Sequence, residues 1–421
     1  MKASSGDGIA GKPRRAAMAF IFVTALLDIM AGGIVVPVLP PLIEEFAGSS
    51  ADAGWVNGLL ISLWAMMQFV CSPIIGSLSD RYGRRPVIMV STAGLALDYV
   101  LMALAPNLWW LAAGRILAGI TSANITTIYA YLADVTSPAE RPRAFGLVGA
   151  AFGGGFVLGP LIGGVLGELG PRVPFWFAAA LSGVAFLYGL FILPESLAPE
   201  RRMAFSWKRA NPIGAIMLFR RSFPLTGLAV VNFLLYFAHN ILSAIWVLYT
   251  SFRYDWEPWQ IGVVLAIVGA ADMIVQGLLV APAVKRFGHR AMMVFGLAGG
   301  ACGLALMGFA WTGWMQLAAI APHALWGFAA PTLLSLMTRM VSESEQGQIQ
   351  GADMSVAAVA GVVSPVFFGT IYAYSVGPGV PVAWSGLAFY IAAVILLAAA
   401  LVGWVVSVKV QRGGRVAGTS S

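Results

Sequence analysis

The chain has 421 residues, 59% of them hydrophobic and 10% charged, with 49 glycines and a net charge of +7. A soluble protein carries about 25% charge, whereas a mean hydropathy of +0.84 leaves more apolar surface than water can face, so lipid is the main solvent. This argues against a soluble enzyme, a disordered chain or a free nucleic-acid binder, and Cys71 and Cys302, both inside apolar runs, suggest neither a disulfide framework nor a thiolate metal site.

A bilayer core of about 30 Å is crossed by about 20 helical residues at 1.5 Å each. Apolar runs of that length are Ala17 to Pro37, Gly54 to Ile75, Pro86 to Ala105, Trp109 to Ala133, Phe145 to Leu166 and Phe175 to Leu193. After a polar stretch come Phe223 to Phe252, Trp259 to Val284, Ala291 to Trp311, Trp314 to Met337, Ile349 to Tyr374 and Pro381 to Val408. The expected fold is therefore all-α, with twelve transmembrane helices. The first run follows Lys12, Arg14 and Arg15, as a signal peptide would, but it is too long for one and lacks a cleavage site, so it reads as a retained helix.

With both termini and the even-numbered loops on one side, that side receives 22 of the 25 Lys and Arg residues. This is the positive-inside pattern and predicts cytoplasmic termini. The basic excess is then a topology signal facing anionic lipid, and no nucleic-acid partner is expected. Trp55, Trp109, Trp110, Trp176, Trp256, Trp259, Trp311, Trp314 and Trp384 fall at the outer ends of spans, where an interfacial belt would lie.

The polar stretch 194–222 divides the spans into residues 1–193 and 223–421, two six-helix bundles. Gly76-Ser-Leu-Ser-Asp-Arg-Tyr-Gly-Arg-Arg85 after the second span recurs as Ala281-Pro-Ala-Val-Lys-Arg-Phe-Gly-His-Arg290 after the eighth. Two such bundles, related by an axis along the membrane normal, are the layout of a major-facilitator transporter. The run Gly76 to Arg85 resembles the loop signature of that superfamily. The segment Gly149 to Gly164 resembles the fifth-helix signature of its drug/proton antiporters. Leu27-Asp28 followed by Pro37-Val-Leu-Pro40, Leu97-Asp98-Tyr99, Gly114-Arg115-Ile-Leu-Ala-Gly-Ile-Thr121 and Gln346-Gly-Gln-Ile-Gln-Gly351 together resemble the tetracycline/proton antiporter branch.

Ionisable residues inside a bilayer are costly, so each is a functional candidate. Asp28 lies about 16 Å into span 1, Asp98 about 18 Å into span 3, and Arg115 about 9 Å from the outer edge of span 4. Asp98 and Arg115 thus sit at similar depth on neighbouring antiparallel helices and can pair. A carboxylate whose solvation and cationic neighbour change with conformation changes its proton affinity, which proton coupling requires. The alternatives are a permanent ion pair between helices and, for Asp28, a helix–helix polar contact. The resemblance implies a transport role for all three. Asp272, with Gln276 one turn on, is a fourth intramembrane charge. It departs from the resemblance, in which the eighth helix tends to carry a His near this point and the ninth an Asp near Gly299 and Gly300. Either the acid has moved to a neighbouring helix around the same cavity, or the substrate differs.

On span 7, Asn232, Tyr236, His239, Asn240, Ser243 and Trp246 recur with helical spacing as one polar stripe, expected to line a cavity or pack on another helix. Gly119, Ser122, Thr126 and Tyr129 form a similar face on span 4. His239 and His323 are too far apart in sequence to suggest a metal site, and none is expected. The glycines of the fifth span are no nucleotide loop, since no strand precedes them and no Walker Lys follows; they predict close helix packing, with a bend at Pro160. The resemblance gives a gating role to Gly149, Gly153, Gly159, Pro160 and Gly163, and to Gly76, Asp80, Gly83 and Arg84 around a tight turn, while Arg81 and Arg85 read as topology anchors.

The expected function is a monomeric, proton-coupled antiporter of the bacterial inner membrane, exporting a small amphiphilic drug such as a tetracycline. It would use no cofactor, since no ATP-binding signature is present. The alternatives are a metabolite or polyol exporter on the same scaffold, a polytopic membrane enzyme, which would need a clustered His/Asp or nucleophile motif not found here, and a transporter-like receptor, for which 194–222 is too short.

Overall fold

The computed structural model describes residues 11–122, 125–137, 140–205, 207, 216–342 and 345–417, with the side chains of 11–20, 142, 143, 216 and 408–417 left aside. Within the expected linker, residues 206 and 208–215 lie outside the described ones. Among the described residues there is no strand, and twelve helices are long and apolar enough to cross a membrane. They are α1 (Ile21–Ala47), α2 (Ser50–Tyr82), α3 (Arg84–Leu104), α4 (Leu108–Val135), α5 (Ala144–Gly167) and α6 (Val173–Ile192). They continue as α7 (Phe223–Tyr254), α8 (Pro258–Phe287), α9 (His289–Phe309), α10 (Gly313–Thr338), α11 (Gln346–Ser375) and α12 (Val382–Ser407).

The helix starts follow from local chemistry. Asn107 Oδ1 accepts from the Trp109 and Trp110 amides at the start of α4, and Thr312 Oγ1 accepts from Met315 N at the start of α10. Ser222 caps α7, and Glu257 and Gln260 make a reciprocal capping box around Pro258 at α8. Each cap satisfies amide donors that the first helical turn leaves unpaired.

Two boundaries differ from the sequence reading. The first helix does not stop near Pro37 but resumes after a short turn as the amphipathic segment Leu39–Ala47. The signature Gly76 to Arg85 is largely helical, because α2 runs through Tyr82 and only Gly83 breaks it. Gly83 has φ 106° and Gly288, its counterpart in the echo, φ 83°, a left-handed conformation that glycine adopts without strain. The duplicated motif is therefore a duplicated turn.

The chain divides into two compact units, Met1–Leu39 with Met67–Asn211, and Pro40–Met66 with Pro212–Ser421. In the first, α5 lies against α1 along the row Gly155, Gly159 and Gly163. A methyl at Gly159 would stand 2.7 Å from the Met30 carbonyl, and one at Gly163 2.0 Å from that of Ile34. Pro160 sits inside this unbroken helix. In the second unit the N-terminal part of α2 meets α11. A methyl at Gly58 would lie 2.3 Å from the Pro365 carbonyl, and Ser50 and Tyr372 hydroxyls are hydrogen bonded at 3.0 Å. That contact explains why Pro40–Met66 groups with the second half of the chain. Large apolar side chains remain exposed along the helices, among them Val90, Phe191, Leu278, Val394 and Leu401, as lipid-facing positions do.

Candidate functional site

In the first unit, Asp98 of α3 is completely buried, and Arg115 Nη2 of α4 lies 3.4 Å from its Oδ2. Gly114 makes this approach feasible: a methyl there would fall 2.8 Å from Asp98 Oδ1 and 2.7 Å from Met102 Sδ. The buried Tyr99 lies within electrostatic reach of Asp98, Arg115 and Asp28 together. Its hydroxyl is also 3.9 Å from the Cβ position of Gly32 on α1. Three charges from α1, α3 and α4 thus gather around one phenol, a residue quoted in the sequence motif but given no role there.

The Gly83 turn is wired electrostatically. Arg84 Nη1 donates to Asp80 Oδ1 at 2.6 Å and to Ser79 Oγ at 2.7 Å, and its Nε reaches Asp134 Oδ2 at 3.2 Å. Glu195 then accepts from the backbone amides of Arg84 and Arg85, capping α3 with a carboxylate at its positive end. A methyl at Gly83 would meet Glu195 Oε2 at 2.2 Å and displace that carboxylate from its cap, while the positive φ is what favours glycine there. Met203 N donates to the Asp80 carbonyl, and Tyr131 to that of Pro194. The start of the linker is therefore strapped onto this turn, through Glu195, Asp134 and Met203, which sequence reading left unused. Arg85 also ties to α6 through the Leu190 carbonyl at 2.7 Å, more than a topology anchor needs.

Other expected positions are dispersed. Gly149 has open space around its Cβ position, whereas Gly155, which was not singled out, meets Ile29 at 2.9 Å. Gly153 lies within α5 and Gly76 within α2, where a methyl would stand 3.9 Å from Thr126 Oγ1. Tyr129 packs edge-on against Phe145 at 5.3 Å within an apolar cluster.

In the second unit the regular helical spacing of α7 is interrupted near the end of the stripe. A wider turn at Leu242–Trp246, with hydrogen bonds to the fifth residue, rotates the face below it, and Val275–Leu279 of α8 has the same feature. Such turns recur at functional sites. Asn232 Nδ2 donates to the Asp353 carbonyl of α11 at 3.0 Å, and Tyr236 is within reach of the Asp353 carboxylate. Trp246 meets the buried Gln316 of α10, whose amide oxygen accepts from its indole at 2.8 Å when the amide is oriented to satisfy both partners. Asn240 lies near Gly361 of α11, and Gln276 is exposed beside Gly327 of α10.

The centre of this unit is His239, whose ring stacks on Trp326 at 3.6 Å, while Trp326 Nε1 donates to Asp272 Oδ1 at 3.2 Å. His323 is 5.8 Å from His239, so residues distant in sequence meet in space. The reason lies in α9. Methyls at Gly296, Gly299, Gly300 and Gly303 would collide with Ala329 N, Leu325, Trp326 and His323, respectively. At Gly299 and Gly300, near which the resemblance places an acid, a side chain would run into Leu325 and Trp326 of α10. Asp353 was missed because it sits close to one end of its span, where a charge resembles an interfacial residue.

Twelve apolar helices enclosing buried charges define an integral membrane transporter. The sequence profile of the Major Facilitator Superfamily matches residues 21–280 and 228–419, and the chain belongs to that family. It is 37% identical to the tetracycline resistance protein, class C, of Escherichia coli, over 90% of this chain and 94% of that one. It is 34% identical to the class B protein of Escherichia coli, over 89% and 93%. Among solved structures the nucleoside transporter NupG superposes with a TM-score of 0.76 at 14% identity, covering 93% of this chain and 98% of that one. The human organic anion transporter MFSD10 does so with 0.68 at 23%, covering 93% and 99%. These structures share the fold. The chain is thus a multi-pass membrane protein of a family that moves small molecules.

Proposed function

We propose that the protein is a proton-coupled antiporter of the bacterial inner membrane, with cytoplasmic termini, that exports an amphiphilic drug of the tetracycline class as a monomer without a cofactor. The observation that carries this reading is the buried Asp98–Arg115 pair beside Tyr99 and Asp28, in a chain similar to tetracycline resistance proteins over nine-tenths of its length. A buried carboxylate matched by one arginine holds or releases a proton according to whether that arginine and solvent are near. Asp28, Asp98 and Asp272 are the proton-exchanging carboxylates and Arg115 the tuning cation. Asn232, Tyr236, His239, Asn240, Trp246 and Gln276 of the second unit, and Thr126 and Tyr129 of the first, contact the drug. The Gly83 turn with Asp80 and Arg84, and the α5 glycine row with Pro160, govern opening and closing as the bundles rock.

The test is proton release on adding tetracycline to the purified protein, compared with Asp98→Asn. A signal in the parent that the variant loses supports the reading; no signal in the parent, or the same signal in both, refutes the role given to Asp98. A metabolite or polyol as cargo is the second reading, favoured by the departure from the resemblance on α8 and α9, where Asp272 stands on the first and glycine at 299 and 300 on the second, and a substrate panel in everted vesicles separates the two.

A further inference from the structure

His323 has no part in the function proposed above. It is 1% exposed, and α9 presses so closely on it that a methyl at Gly303 would stand 2.4 Å from its backbone N and Cα. His239 and Trp326 overlap face to face at 3.6 Å and 17°; His239 and His323 lie 5.8 Å apart at 2°; His323 and Trp326 lie 6.4 Å apart at 19°. These separations make a near-right angle at His239. Because Trp326 lies along the normal of the His239 ring, His323 must lie beside that ring in nearly the same plane. The imidazoles are therefore edge to edge rather than stacked, so that a small approach of the rings would bring a nitrogen of one to the lone pair of the other, although no hydrogen bond joins them at this separation.

The polar atoms in this arrangement are unsatisfied. His239 Nδ1 and both nitrogens of His323 are buried without a hydrogen bond of normal geometry, although the Gly300 carbonyl of α9 faces His323. Buried polar nitrogens without partners are costly and call for an explanation. The charged and titratable groups around the pair are Asp272 of α8, reached through the Trp326 indole, and Asp353 of α11, which faces Tyr236 on the neighbouring turn of α7. The π face of Trp326 covers His239.

We infer that His239 and His323 form a proton-sharing imidazole pair, a proton-binding site of the second unit, with Trp326 and Asp272 as positioning residues. The step is protonation alone. A proton taken from water bonds the lone pair of one ring nitrogen and is hydrogen bonded to the facing nitrogen of the other ring; on release it returns to water. The pairing stands on the ring geometry, and only its use in transport rests on the antiporter reading.

The chain has three histidines, the third being His289, so nitrogen NMR of full-length protein labelled at histidine, in lipid nanodiscs, reads each ring during a pH titration. The expected result is that His239 and His323 titrate as one coupled system in two macroscopic steps, with scalar coupling between the two rings in the singly protonated form, while His289 titrates alone. In H323Q, and reciprocally in H239Q, the remaining ring moves its midpoint by about one pH unit and titrates in a single step. Independent titration in the parent protein, which needs no variant to fold, overturns the pair. So does a His239 curve unmoved in H323Q. Tetracycline-evoked proton release from the same preparation separates the two readings. Its absence beside coupled titration refutes the antiporter and leaves the pair; its presence beside independent titration refutes the pair and leaves the antiporter.

Discussion

The two units build their polar centres in opposite ways. In the first, a fully buried carboxylate is matched by a guanidinium, Asp98 by Arg115. In the second, the Asp272 carboxylate meets the Trp326 indole N–H, and that indole in turn lies against His239. The echoed turns diverge likewise: Gly83 carries an ionic network through Arg84, Asp80, Asp134 and Glu195, whereas after Gly288 the Arg290 guanidinium lies 4.1 Å over the Trp404 ring. A duplicated backbone thus does not preserve electrostatics. A centre built on opposite charges depends on both partners, whereas one built on neutral donors tolerates the loss of one.

The largest expected effect follows from that dependence. Arg115→Met leaves Asp98 buried and uncompensated and destabilises the protein by about 3–5 kcal/mol, while Arg115→Met combined with Asp98→Asn recovers much of the loss. Chemical unfolding of the purified proteins measures both, and a double variant no better than the single one would erase the distinction between the two centres.

Next comes the packing that assembles the second centre. Gly303→Ala forces a methyl against the His323 backbone and costs about 1–3 kcal/mol, whereas Gly149→Ala meets open space and gains helix propensity of about 0.5–1 kcal/mol. Paired thermal melts reveal the contrast, and equal shifts would show that α9 does not hold α10 in place.

Trp326→Phe keeps most of the ring but removes the donor to Asp272. The expected loss of stability is about 1.5–3 kcal/mol, the range for a hydrogen bond to a charged group, read by chemical unfolding. An unchanged stability would show that the indole–carboxylate contact contributes nothing to the second centre.

The smallest effect belongs to Glu345 at the start of α11. Its carboxyl is held below the ordinary 4.5, first by the Ser342 hydroxyl and then by Arg221. Because the native value is lowered, this stabilisation is complete above the ordinary value and disappears as pH falls through the lowered one. Glu345→Gln should therefore melt slightly below the parent at neutral pH and converge with it in acid. A difference that persists in acid would point to lost packing instead of charge.

Much of this was readable without coordinates, for identifiable reasons. Twelve spans stand out because they are apolar runs of membrane length, whereas the capping of the helices before Trp109 and Trp314 by Asn107 and Thr312 emerges only from the structure. Asp98 and Arg115 came within reach of one another by depth alone. On α7 the 3.6-residue period on which the stripe was drawn holds through Asn240, and a wider turn at Leu242–Trp246, which contains Ser243 and Trp246, is not visible in the sequence. Glu195 and Asp353 were passed over because, near the ends of spans, they resemble ordinary interfacial charges.

What the chain determines by itself is where helices must form and which polar residues must be sheltered, because backbone donors and acceptors in lipid have to pair within their own segment. Which of those residues meet was decided in the tertiary structure. His323 reaches His239, and Trp326 reaches Asp272, because the glycine row on α9 lets α10 approach to backbone contact. The missing side chains that permit that approach leave no hydropathy signal of their own.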